Sequence, residues 1–174
     1  MQTLVNTHLL LKMQKNLAAR ALLLLHPLFA FVAFAALSLS STTAFAADTA
    51  QMEANKKAVL AFYEEGINKK DFEAAAMYFG PKYIQHSPTE PDGIDGFRSF
   101  VGFLKEKFPN LKSDIKGVFA DGDLVILHVH AVREPGARGA AIVDIFRLDG
   151  GKIVEHWGVR QDIPEKAANA NGVF

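Results

Sequence analysis

The hydrophobic positions of this chain keep a helical period in the first half and a strand period in the second. Val59, Phe62 and Tyr63 fall at i, i+3, i+4. That spacing predicts a helix capped by Asp48 or Thr49 and running to about Ile67, where Asn68-Lys69-Lys70 breaks it. Asp71 can cap a short second helix, 71–79, which Gly80-Pro81 terminates. An extended piece follows at 83–86 (YIQH), then a loop rich in Pro, Gly and Asp. The strongest helical signal is the third: Phe97, Phe100, Val101, Leu104 and Phe108 recur on one side, and Pro109 closes the run.

Beyond Pro109 the period becomes two. Strands are expected at about 112–120, 123–134, 140–148 and 152–163. Asp121-Gly122, Pro135-Gly136 and Asp149-Gly150-Gly151 separate them as hairpin turns. Helices first and strands last imply an α+β fold, with three N-terminal helices packed on one face of a curved antiparallel sheet. The tail 166–174 is expected to be loosely held.

The segment 1–46 follows a different rule. It carries Lys12, Lys15 and Arg20, then an apolar run from Ala21 to Leu37, then small residues ending in Ala44-Phe45-Ala46. A basic head, an apolar middle and an A-x-A site predict a secretory signal peptide cleaved after Ala46, with Met13 as an alternative start. The mature domain, 47–174, is then periplasmic or secreted, with no membrane partner after cleavage. An uncleaved anchor is the alternative, but His26-Pro27 interrupts a run already near the lower limit of roughly 17–20 residues for spanning a bilayer. The chain holds 19 basic and 19 acidic residues; the leader takes three basic and no acidic ones, leaving 16 against 19, a net −3. That balance gives no reason to expect nucleic acid as a partner. There is no Cys and hence no disulfide. The remainder is the length of one domain with a single core.

Polar residues in the last two strands carry the candidate chemistry. A three-residue loop at 149–151 would pair Leu148 with Lys152 and Asp144 with His156. One face then holds Ile142, Asp144, Phe146, Val154, His156, Gly158 and Arg160. The other holds Val143, Ile145, Arg147, Ile153, Glu155 and Trp157. A two-residue loop shifts the register by one, so both pairings stay open. His156 and Gly158 share a face in either case. Charge on both faces means that one face meets solvent, a partner subunit or a polar-lined cavity, because unpaired buried charge is costly. Phe62, Tyr63, Phe97 and Phe100 are the aromatics available to wall such a cavity.

Asp144 beside His156 would orient the imidazole and raise its basicity, giving a general base near neutral pH; the bland alternative is a structural cross-strand pair. His86 sits where a pocket rim would lie, with Tyr83 and Gln85 as further donors to substrate, or else it is a loop histidine bonded to backbone. His128 and His130 share one face of their strand, interleaved with Leu124, Ile126 and Val132. They are candidate substrate-binding residues, and their H-x-H spacing could chelate a metal. Arg147 and Glu155 form an exposed or interfacial ion pair beside Trp157, and Lys69-Lys70 is a solvated helix end.

The YIQHSP segment, the LHVH strand and above all DIFRLDGGKIVEHWGVRQ resemble the SnoaL-like polyketide cyclases of the nuclear transport factor 2-like superfamily, over about residues 50–163. The resemblance implies a cone-shaped fold enclosing an apolar pocket, with homodimerisation through the sheet. It further implies ring closure by intramolecular aldol condensation with acid–base residues and neither metal nor organic cofactor. In this group the motif commonly reads EHWD, with the Asp facing the pocket; here position 158 is Gly. Asp144, His156 and His86 become the catalytic candidates, and Tyr83, Gln85, His128, His130, Phe97 and Phe100 the substrate-binding ones. The expected function is a cofactor-free acid–base enzyme, of aldol-cyclisation or isomerisation type, on a small apolar carbonyl compound. A ligand-binding module or a protein-interaction domain on the same scaffold are the alternatives.

Overall fold

The structure, a computed structural model, describes residues 48–174, so the leader expected over 1–46 lies outside the described residues. Residues 48–63 are helical (α1), which places Asp48 and Thr49 within the helix. The helix continues into a π-helical turn, Glu64–Asn68. Asn68 clamps this end to the sheet: its amide donates to the Ser113 carbonyl at 3.1 Å and accepts from the Ser113 N–H at 2.8 Å. Lys70 is not solvated as expected. It is buried, with φ at +58°, and its Nζ donates to the Asn68 and Leu111 carbonyls, because the chain reverses direction there.

Asp71 caps α2 (Phe72–Ala76) by accepting from the Ala74 N–H. The helix is shorter than its pattern suggested, and Gly80-Pro81 does not end it. Both residues belong instead to strand β1 (Phe79–Gln85). The amphipathic helix α3 (Gly93–Lys107) buries Phe97, Val101 and Leu104.

The remaining strands are β2 (Lys112–Asp121), β3 (Leu124–Val132), β4 (Ala140–Asp149) and β5 (Lys152–Asp162). The sheet order is β1-β5-β4-β3-β2. The last four strands pair antiparallel, whereas β1 pairs parallel to β5. The sheet is thus mostly, not wholly, antiparallel.

The hairpin between β4 and β5 follows neither simple register throughout. Asp149 pairs with Lys152, leaving a two-residue turn of Gly150 (φ +56°) and Gly151 (φ +77°), the left-handed pair that a type I′ turn requires. Leu148 then pairs with Ile153, but Arg147 pairs with Glu155, so Val154 is an extra residue on β5. This bulge inverts the alternation. Ile153 turns into the core with no exposure, against the expectation that it shares a face with Glu155 and Trp157. Beyond the bulge Phe146 opposes His156 and Asp144 opposes Gly158, so these four share a face although Asp144 and His156 sit diagonally. A single aromatic core joins the layers: Phe62 of α1 has ring centroids 5.2 Å from Phe79, 5.1 Å from Phe97 and 5.6 Å from Phe146.

Candidate active site

Between the helices and the concave face of the sheet lies a cavity of about 500 Å³, within the range of small-molecule sites. Its walls are mainly apolar and aromatic, with Phe62, Phe97, Phe100 and Phe146 prominent. A chain of polar side chains runs along one wall. Asp144 and His156 are both buried, and Asp144 Oδ1 lies 3.1 Å from His156 Nε2. The Tyr63 hydroxyl donates to Asp144 Oδ2 at 3.0 Å. On the far side of the imidazole, His156 Nδ1 lies 2.9 Å from Gln85 Oε1. The Gln85 amide in turn donates to Glu90 at 2.8 Å and to the Tyr83 hydroxyl at 3.0 Å.

These contacts fix where protons sit. Gln85 Oε1 also accepts the Ser87 N–H, which identifies it as the amide oxygen. His156 must therefore donate from Nδ1. Tyr63 donates to Oδ2, so the Nε2–Oδ1 contact holds one further proton, either on imidazolium against carboxylate or on a carboxylic acid against neutral imidazole. Burial, with the Asp144 charge, pushes the Tyr63 phenol well above its ordinary range, so it remains a donor. Burial raises Tyr83 in the same way, with Glu90 adding to it. Glu90 is also pushed up by burial, partly offset by His156.

Strand geometry explains who joins this network. Gln85 opposes His156 across the β1–β5 pairing, so the two share a face of the sheet, and Tyr83, two residues earlier on that face, lines the cavity with His156. Alternation sends His86 to the other side. There its ring stacks on Trp157, with centroids 4.8 Å apart, and its Nε2 contacts Glu155 at 2.8 Å. The hydrogen bonds from His86 and Arg147 hold the Glu155 carboxyl below its ordinary range. His86 is thus separated from Asp144 and His156 by the sheet and cannot act beside them.

His128 and His130 also fall outside the cavity. On β3 the buried residues are Val125, Leu127, Val129 and Ala131, and the histidines occupy the alternate face. Both rings pack on Phe174, at 5.1 and 4.8 Å, so the end of the tail is docked on the sheet and not loose as expected. His130 Nε2 meets the Arg138 carbonyl. Among the described residues no three His, Asp or Glu side chains group as metal ligands. Phe97 and Phe100 do line the cavity.

Glu90, Ser113 and Arg133 line the cavity without having had a part in the sequence-based site, and the Tyr63 hydroxyl joins it although only its ring was expected there. Glu90 lies in a loop, where no period points to a face, and Arg133 falls one residue past the end of β3 although the strand expected over 123–134 included it. The Ser113 hydroxyl is buried without a hydrogen-bond partner among the described residues. Gly158 lies directly against the dyad: a Cβ there would stand 3.2 Å from Asp144 Oδ1 and 3.3 Å from the His156 ring.

Comparison with known proteins agrees with this architecture. The model of the SnoaL-like domain matches residues 59–156, more than half of the chain. No functionally curated protein is significantly similar in sequence. Among solved structures, a candidate polyketide cyclase from Acidithiobacillus ferrooxidans is 27% identical, with a TM-score of 0.53 over 62% of this chain and 87% of that one. A candidate SnoaL-like polyketide cyclase from a Jannaschia species is 22% identical, with a TM-score of 0.53 over 63% and 86%. A cystatin-fold protein from Novosphingobium aromaticivorans is 19% identical, with a TM-score of 0.54 over 61% and 97%. The last two likenesses establish the fold alone.

Proposed function

The chain belongs to the SnoaL-like domain family, and on that premise we propose that it is an acid–base enzyme of cyclase or isomerase type acting on a carbonyl compound held in the cavity. The observation that carries this reading is the buried Asp144–His156 contact on the wall of an otherwise largely apolar pocket.

The hydrogen bonds assign the roles differently from a simple histidine base. Both imidazole nitrogens are engaged, one by Gln85 and one by Asp144, so His156 has no free position for a substrate proton. Asp144 lines the cavity beside Gly158, so the lone pair of Oδ1 that His156 does not use can meet a substrate held there. In the imidazolium–carboxylate form, Oδ1 takes a proton from the carbon next to the substrate carbonyl. The C–H electron pair moves into the carbonyl and forms an enolate. Return of that proton to a different carbon isomerises the substrate. Attack of the enolate carbon on a second carbonyl of the same molecule forms a carbon–carbon bond and closes a ring. The buried Ser113 hydroxyl, beside Tyr63 on the cavity wall, is available to donate to the enolate oxygen.

The test follows exchange of α-protons for deuterium in 2-acetylnaphthalene by NMR. The protein is expected to accelerate exchange over buffer, and Asp144→Asn to lower the acceleration by roughly 10²–10⁴-fold. Acceleration that survives Asp144→Asn rules out Asp144 as the base. A non-catalytic binding module is the second reading, favoured by Gly158, which supplies no carboxylate where the EHWD form of the motif has one. Binding of the ketone without exchange would establish it. The order of residues in 1–46 supports export to the periplasm or medium, and the exposed Phe119 and Val143 support pairing of two copies through the sheet.

A further inference from the structure

Arg133 and Arg160 both line the cavity, away from the dyad. Arg160 lies four residues beyond His156 on the same face of β5, about 13 Å at the usual rise per residue. This end opens to solvent, since Arg160, Val159 and Phe103 are exposed. The two guanidinium groups are unequally satisfied. Arg160 donates to Asp162. Arg133 is half-buried and packs on the Phe108 ring at 4.5 Å, and among the described residues no carboxylate pairs with it. Burial and the neighbouring Arg160 lower its pKa, with Asp162 partly offsetting them.

Two guanidinium groups and one carboxylate leave an uncompensated cation on the cavity wall. The planar fork of Arg133 is free to receive two oxygens in parallel, the geometry of a carboxylate. From this arrangement we propose that the cavity takes an amphipathic keto acid: its carbonyl end lies against Asp144 and His156, its apolar body against the phenylalanines, and its carboxylate on Arg133 and Arg160. This refines the substrate class of the acid–base reading and rests on it for the orientation of the carbonyl. It replaces a wholly apolar substrate with a monoanionic one about 10–13 Å long, as the strand spacing requires.

The experiment is calorimetric titration with 6-acetyl-2-naphthoate, whose ketone and carboxylate sit at opposite ends of the ring system, and, separately, with its methyl ester. The pair differs at the carboxylate alone. The carboxylate is expected to bind about tenfold tighter or more, as a charge-assisted bidentate contact implies, and the difference to shrink as salt is raised. Arg133→Gln should bring the two ligands within about threefold, by weakening the carboxylate more than the ester. Arg160→Gln should weaken the preference by a smaller factor, and it serves as the second variant should Arg133→Gln melt early. Equal or tighter binding of the ester by the wild-type protein, failure of both ligands to bind, or a preference that survives both substitutions would overturn the proposal. Asp144→Asn separates the two readings. If that variant loses proton exchange but keeps the preference, both stand. If exchange never occurs yet the preference is present, the catalytic reading alone falls. A wild-type protein that exchanges protons without preferring the carboxylate loses the keto-acid assignment alone.

Discussion

Single side chains carry most of what is chemically distinctive about the cavity, and Glu90 shows how burial sets their behaviour. Its carboxyl is pushed above the ordinary value of 4.5, with desolvation as the largest cause. A carboxyl with a raised pKa in the fold binds its proton more tightly folded than unfolded. Its contribution is fully present below the unfolded value and is lost as pH rises through the folded one. Glu90→Gln, which keeps an acceptor for the Gln85 amide, is therefore expected to melt higher than wild type at pH 7.5 and to match it near pH 4. A variant less stable at pH 7.5 would show that the charge is stabilising. Gly158 acts at the same scale by what it omits: a Cβ there would crowd Asp144 Oδ1 at 3.2 Å and the His156 ring at 3.3 Å. Tyr63 and Gln85 hold the two ends of the dyad. The sequence offered Asp144 opposite His156 on a three-residue loop; the structure brings them to one face by a two-residue turn and the bulge at Val154, with Asp144 opposite Gly158. The sequence could not place Glu90, since a loop side chain has no period to read, whereas Arg133 fell within the strand expected over 123–134 and was passed over.

Elements decide the next level, and the bulge at Val154 is the element that matters most. It moves Ile153 into the core while keeping His156 and Gly158 on the cavity face. Without it, one strand could not satisfy both a tight Gly150-Gly151 turn and an inward His156. The displaced Val154 lies against Gly80 of β1, where an added Cβ would come within 2.8 Å of Val154 Cγ1. Gly80→Ala is expected to cost about 1–3 kcal/mol by overpacking. Val154→Ala should recover part of that loss, with a coupling of at least about 0.5 kcal/mol in urea unfolding of the double-mutant cycle. Strict additivity would mean that β1 accommodates the bulge by moving its backbone. The same β1–β5 pairing explains why YIQH divides as it does. A parallel partner puts Tyr83 and Gln85 inside and His86 outside on Trp157. Nothing local to YIQH predicts that partner, because β5 lies far along the chain.

At the scale of the whole domain, one aromatic cluster ties helices to sheet, and the cavity is the space that cluster does not fill. Phe62 is 2% exposed and touches rings from β1, α3 and β4 at once. Phe62→Ala is expected to cost about 3–5 kcal/mol, the usual loss for a buried aromatic. Both proteins should unfold in one transition, with Trp157 fluorescence and far-ultraviolet circular dichroism tracing the same curve. Two separated curves would mean that the sheet survives without its helical layer.

The sequence by itself determined the order of elements, the switch from helical to strand period after Pro109, the glycine turn of the last hairpin and the supply of aromatics for a cavity. Each of these depends on residues close together in the chain, whose φ/ψ preferences and apolar spacing act locally. The tertiary structure alone decided the bulge at Val154, the parallel pairing of β1, the outward turn of His86, His128 and His130, and the arrival of the Tyr63 hydroxyl, Glu90, Ser113 and Arg133 at the cavity. Those outcomes depend on which distant surfaces bury one another, and a one-residue offset in a strand is enough to turn a side chain from pocket to exterior.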